Sequence, residues 1–264
     1  MQFFGKGEYS GDVVNFSSQD GFMVSITTYQ QSNFNHDRHS HDNTHISFVL
    51  HGGCAEKKKN PYERLPGKIT YYHSGEPHQV TNVAARSKHI NIEIEPAFFR
   101  AQQLSENDLF DAMSENPDAK FLMLDIYREL VDDDDYSGYS IHSHILNLVH
   151  RTTKFRTNHE KPLWVNIVKE HLHDNWRLNT SLLELASVAK VHPVTISRYF
   201  PKYLGCTLGQ YMRKIKVEKS LSLIKAAHSS LTGVAYECGF SDQSHFIRNF
   251  KNLTGFLPAH YRQL

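Results

Sequence analysis

Two groups of side chains in this sequence could do chemistry. In one, Val194, Thr195, Ser197 and Arg198 share the outer face of a short helical stretch, and Gln243, Ser244, His245 and Arg248 share the corresponding face of another. Arginine can make a bidentate contact to guanine and glutamine one to adenine, so such faces carry the chemistry for reading base edges. Lys202, Lys214, Lys216 and Lys251 lie nearby and suit phosphates, contacts that position a protein without specifying sequence. The other group is histidine. His39 and His41 flank Ser40, and alternate residues on a strand face the same way, so both rings can converge on one ion. Neutral imidazoles suit zinc, copper, nickel or iron.

The elements that must position the first group occur twice. Ser181, Leu182 and Ala186 recur as Ser230, Leu231 and Ala235 after 49 residues, and Ile196, Arg198, Phe200 and Gly205 recur as Phe246, Arg248, Phe250 and Gly255 after 50. Two helices joined by a turn that absorbs one inserted residue would differ in this way, so each unit reads as a helix-turn-helix. Ile196 and Phe200 in one unit, and Phe246 and Phe250 in the other, lie four apart and should pack inward. Ser181 with Glu184 reads as a capping box. The stretch Leu208 to Ala227 is long enough to be a connecting helix between the units.

The histidines lie in a region of different pattern. From Gly21 to about Pro96 the apolar residues alternate, as in Phe22, Val24 and Ile26, in Ile46, Phe48 and Leu50, and in Ile90, Ile92 and Ile94. Short strands separated by Gly-rich turns predict an antiparallel barrel or sandwich. The spacing then turns helical. Phe121 to Leu130 predicts one helix, ended by the acidic run Asp132 to Asp135, and Tyr139 to Phe155 predicts a second. The stripe Ile141, Ile145, Leu148 and Val149 would pack on its own domain or on a second copy. The expected architecture is therefore α+β in two domains. Residues 1–156 form a barrel to about 96 followed by helices over 97–156, and residues 157–264 form an all-α domain, with a linker at Thr157 to Lys161.

Charge separates along the same line. Residues 1–159 hold 15 Lys+Arg and 21 Asp+Glu, a net of −6, while residues 160–264 hold 14 and 7, a net of +7. A basic half carrying the repeated helices points to nucleic acid rather than a membrane. The three cysteines, Cys54, Cys206 and Cys238, are far apart and form no CxxC pair, which argues against a disulfide framework and suits a reducing cytosol. The first residues do not read as a signal peptide, and no apolar run approaches the roughly 20 residues of a membrane span. A cytoplasmic protein is expected.

The segment Gly239-Phe240-Ser241-Asp242-Gln243-Ser244-His245-Phe246, followed by Phe250-Lys251 and by Thr254-Gly255-Phe256-Leu257-Pro258-Ala259-His260-Tyr261-Arg262, resembles the closing signature of the AraC/XylS family of bacterial transcription regulators. The likeness runs from about Pro162 to Arg262. It implies two helix-turn-helix units joined by a long helix, with their second helices in successive major grooves, and it implies base contacts at the outward residues named above. Five positions depart from the family pattern: Lys190 replaces a turn glycine, His192-Pro193 a serine start, Gly233 a glutamate, and Pro201 follows directly on Phe200. Pro201 is expected to end or kink the first recognition helix early.

The first domain resembles the cupin barrel. His39-Ser40-His41, then His45 and Gly52, and later Gly67, His73, Gly75, His78 and Asn82 are similar to its two motifs, with His45 in place of a glutamate and His73 in place of a proline. The resemblance implies a ligand quartet of His39, His41, His45 and His78. Three roles stay open: a divalent metal site (Zn, Ni, Fe or Cu), a metal-free small-molecule pocket, or barrel closure alone. The leading expectation is a non-enzymatic, dimeric regulator that binds double-stranded promoter DNA, senses a small-molecule effector or metal, and meets RNA polymerase if it activates. The alternatives are a metal-dependent, oxygenase-like cupin enzyme fused to a DNA-binding domain, and a DNA-binding protein whose barrel only dimerises.

Overall fold

The computed structural model describes the backbone of residues 1–264 except 20, 31–35, 157–160 and 227–228, and no side chains over 149–156. The described chain divides into two compact units, Met1–Ser114 with Ala119–Val149 and Leu264, and Glu115–Asp118 with His150–Gln263. The expected linker lies outside the described residues except for Lys161.

The first unit holds β1 (Gln2–Phe4), β2 (Asp12–Gln19), β3 (Phe22–Tyr29), β4 (His39–His41), β5 (Thr44–His51), β6 (Cys54–Lys57), β7 (Pro61–Arg64), β8 (Ile69–Tyr72), β9 (Gln79–Thr81) and β10 (Ser87–Ile94). The strands form three sheets, β1-β4, β2-β3-β10-β5-β8 and β7-β6-β9. The single closed barrel expected from the alternating runs is therefore not seen among the described residues. Outer strands β2 and β8 of the large sheet do not pair with each other. A lone antiparallel bridge joins His39 to His78, made by two reciprocal backbone hydrogen bonds of 2.9 and 2.8 Å.

Register sorts the central sheet into two faces. Ile92 lies between Val24 and Ile46, and Ile90 between Ile26 and Phe48; these buried side chains form the apolar face. Asn91 lies between Ser25 and Ser47, and His45 between Glu93 and Tyr72. The second face is polar, yet it is buried as well.

Helices α1 (Pro96–Gln102), α2 (Glu106–Glu115), α3 (Ala119–Asp132) and α4 (Ser137–Arg156) follow. Helix α3 packs on β2 and β3, with the Asn15 amide donating to the Leu130 carbonyl at 2.8 Å. Ile141, Ile145 and Leu148 of α4 are fully buried within the chain, so the stripe is spent on its own fold as far as Leu148; the Val149 side chain lies outside the described residues.

The second unit contains α5 (Leu163–Asp174), α6 (Leu182–Ala189), α7 (Pro193–Leu204), α8 (Leu208–Lys225), α9 (Leu231–Glu237), α10 (Gln243–Thr254) and α11 (Pro258–Gln263). Val165, Val168, Leu172, Leu185, Ile196 and Phe200 belong to one core cluster around α5 to α8. Phe246, Phe250 and Tyr261 make successive ring contacts at 5.6 and 5.5 Å, which ties α10 to α11. Helix α8 ends at Lys225, while the expected end at Ala227 lies outside the described residues. Among the described residues no helix is long and apolar enough to cross a membrane.

Two local expectations change. Helix α7 runs through Pro201 to Leu204 and ends on Gly205 in the left-handed region. Proline removes one amide donor, and the carbonyl it leaves, four residues back, belongs to exposed Ser197, where water can serve it. Only half of the expected capping box at Ser181 forms. The serine oxygen accepts from the Glu184 amide at 3.1 Å, but the glutamate side chain turns to His171 Nε2 at 3.3 Å. A complete box lies instead at Thr207 and Gln210, at the start of α8.

Candidate nucleic-acid interface and histidine site

Both helix-turn-helix units use their apolar spacing to fix which residues face out. Ile196 and Phe200 of α7, like Phe246 and Phe250 of α10, have no exposed surface. Their burial leaves Val194, Ser197, Arg198, Ser244, His245 and Arg248 exposed, with Thr195 and Gln243 half-buried. Each start is capped differently. His192 Nδ1 accepts from the Val194 amide at 3.2 Å, whereas the Asp242 carboxylate accepts from the His245 amide at 2.7 Å. Helix starts of this kind favour negative charge through their free amides.

The predicted phosphate lysines separate into two pairs. Lys202 and Lys251 are exposed. Lys214 is ion-paired with Asp118 at 2.6 Å, and Lys216 is buried, donating to the Gly239 carbonyl at 2.8 Å and to Asn179 Oδ1 at 3.2 Å. Burial lowers the Lys216 pKa from its usual value. Lys216 therefore fastens the second turn from within rather than meeting a phosphate. A contact the sequence does not announce links the two helices of the second unit: the Thr232 hydroxyl donates to Gln243 Oε1 at 2.6 Å.

In the first unit of the fold, the ligand atoms of His39, His41 and His78 lie within 4.8 Å of one another. Strand β4 supplies two of them, and the bridge supplies the third. His45 does not join this set. Its ring lies 4.3 Å from that of His41, but its Nε2 pairs with Asn91 Oδ1 at 3.2 Å. The predicted quartet is therefore a triad with a neighbour. Burial, and then the charge of His39, hold His41 down to about 3 and His78 to about 2. Burial also lowers His39 and holds His45 well below the usual range. All four rings are thus neutral near pH 7, the form that binds metals, so the triad fits a divalent ion.

Sequence reasoning missed the charges beside this triad. Arg64 and Glu56 form a buried ion pair at 3.2 Å. Arg64 also donates to Tyr72 Oη at 3.1 Å and to Ser47 Oγ at 2.7 Å, and Tyr72 donates to Glu56 at 2.7 Å. The Tyr72 ring lies 4.1 Å from that of His78, so network and triad are continuous. Among the described residues, His41 Nδ1, His45 Nδ1, His89 Nε2 and Arg64 Nε are buried without a hydrogen-bond partner, which leaves them available to a polar guest. Glu56 and Arg64 stand at the two ends of a run rich in charged residues, and no spacing within it marks them as a buried pair.

With paired recognition helices of this geometry, the second unit is a double helix-turn-helix DNA-binding domain. Residues 185–264 match the family model described as a helix-turn-helix domain. Over 110 residues the chain is 28% identical to the bifunctional transcriptional activator/DNA repair enzyme AdaA of Bacillus subtilis, covering 41% of this chain and 52% of that protein. Over 99 residues it is 27% identical to the transcriptional activator RhaS of an Enterobacter species, covering 38% and 36%. The chain thus spans about half or less of the length of these relatives. Among solved structures, it is similar to an AraC-type regulator from Chromobacterium violaceum at 21% identity and a TM-score of 0.36, covering 38% of this chain and 89% of that one. Over its C-terminal residues this chain is thus similar to the helix-turn-helix domains of transcription regulators.

Proposed function

We propose that the chain is a DNA-binding transcription regulator whose N-terminal sheet domain, a cupin-like pocket, senses a small molecule or a divalent metal. The observation that carries the DNA reading is the pairing of two twelve-residue helices with buried apolar stems and exposed polar faces. Val194, Thr195, Ser197 and Arg198 read one major groove, and Gln243, Ser244, His245 and Arg248 read the next, about 10 bp away. Lys202 and Lys251 hold phosphates. Binding as a homodimer, and contact with RNA polymerase in an activator, belong to the same reading.

The sensing half rests on the three converging neutral imidazoles and on the partnerless polar atoms around Arg64. His39, His41 and His78 would hold a metal, which supplies Lewis acidity and charge. Without one, the same atoms would bind a polar effector. Selection of bound DNA from a random pool, repeated with added zinc and with metabolite extract, tests both halves. A defined sequence whose affinity shifts with either addition supports the proposal. Protection that is indifferent to sequence and fades equally at all sites with salt overturns the DNA reading. Ligand binding that leaves operator affinity and transcription unchanged overturns the sensing one.

A further inference from the structure

Gln243 opens α10, and Thr232 stands in the first turn of the neighbouring α9. A glutamine free to rotate can turn its carbonyl and amino groups to one base together, accepting from the adenine N6 amino group and donating to N7. Here the carbonyl oxygen is already turned aside, because the Thr232 hydroxyl donates to it at 2.6 Å. That bond takes one of the oxygen's two lone pairs and fixes the amide, so the amino group with its two N–H donors is the freer edge for DNA. Guanine offers two acceptors in the major groove, N7 and O6, whereas adenine sets its own N–H donors against those of the amide.

We infer that Thr232 is a positioning residue that orients the Gln243 amide to read guanine instead of adenine. The inference rests on the DNA-binding reading of α10 above. The first unit cannot do the same. The residues at the corresponding positions are Leu183 and Pro193, and neither side chain has a hydroxyl or an amide. Oriented reading by this device belongs to the second groove alone.

The test is enrichment of duplex DNA from a random pool by the full chain and by four variants. Gln243→Ala identifies the base pair that Gln243 reads, as the position whose preference it abolishes. At that position the wild type should favour guanine over adenine by about tenfold or more. Thr232→Val, which keeps the shape and removes the donor, should cut that ratio at least about fivefold and admit adenine, with other positions unchanged. Thr232→Ala should do the same, which guards against a misfolded valine variant, and Thr232→Ser should restore the wild-type ratio. Adenine preferred by the wild type, a guanine preference indifferent to Thr232, or a defined operator with no Gln243-dependent position would each overturn this inference while leaving the DNA reading intact. A wild type that enriches no sequence would overturn both.

Discussion

The two helix-turn-helix units share an interior and differ at the end that would meet DNA. Helices α7 and α10 are both twelve residues long, both bury two apolar side chains completely, and both stop at a glycine with positive φ, 69° at Gly205 and 76° at Gly255. Their starts have diverged. An imidazole caps one and a carboxylate caps the other. Lys190 holds φ 53° where Gly239 holds φ 69° in the second unit, and Leu183 is 72% exposed at the position that Thr232 takes beside Gln243. Packing constrains the stems of both copies alike, whereas the tips were free to vary.

The largest expected effect tests the shared interior. Phe200→Ala and Phe246→Ala should each cost about 3–5 kcal/mol in urea unfolding, because each empties a fully buried site. Losses that differ by more than about 2 kcal/mol would break the symmetry of the two stems. Arg248→Ala should weaken operator binding by about 1–3 kcal/mol and relax one base preference. Arg198→Ala should cost less in the same titration, since its guanidinium already lies 5.6 Å from the Tyr199 ring.

The turns give the next contrast. Gly239→Ala should destabilise by about 1–2 kcal/mol, because a Cβ there would stand 2.7 Å from the Arg177 carbonyl oxygen in a left-handed backbone. Lys190→Gly should be neutral or stabilising by up to about 1 kcal/mol, since it relieves the same backbone conformation. Thermal melting of both variants checks the pair, and a stabilised Gly239→Ala would show the two turns to be interchangeable.

The smallest effect is one of pH. The His245 amide, and then the Ser241 hydroxyl, hold the Asp242 carboxyl below the usual aspartate value of 3.8. The folded value lies under the unfolded one, so the cap's contribution is complete above the ordinary aspartate range and is lost as pH falls through the depressed value. The His245 amide should therefore stay hydrogen-bonded at pH values slightly below 3.8, as read by amide exchange. His192→Asp should confer the same acid resistance on the Val194 amide, sharpening the comparison of the caps.

Much of this architecture was legible where local pattern and burial agree. Alternation located β3, β5 and β10, and four-residue spacing located the stems of α7 and α10. Strands β1, β4, β6, β7 and β9 span only three or four residues, too few to show a period, so the separation into three sheets was hidden. Alternation also marks two faces without saying what covers each, and here the polar face is buried too. Lys216 and Glu184 show a further limit. Their partners, Gly239 and His171, are 23 and 13 residues away, and only the fold reveals that these side chains are already engaged. Pro201 does not end α7, since the carbonyl that a helical proline leaves without its amide belongs here to an exposed residue, Ser197.

The isolated bridge between His39 and His78 makes the histidine triad a clasp. His39 and His41 hang from the two-stranded sheet, and His78 directly precedes the strand at one edge of the three-stranded sheet. The protein itself fastens these parts with the two backbone hydrogen bonds of the bridge, beside a third from the His36 amide to the Val80 carbonyl at 2.9 Å. Whatever occupies the three imidazoles adds a second fastening across the same seam. Its stabilisation would grow with occupancy, to about 2.7 kcal/mol at a hundred times its dissociation constant. The tightness of the seam would then record the concentration of the guest.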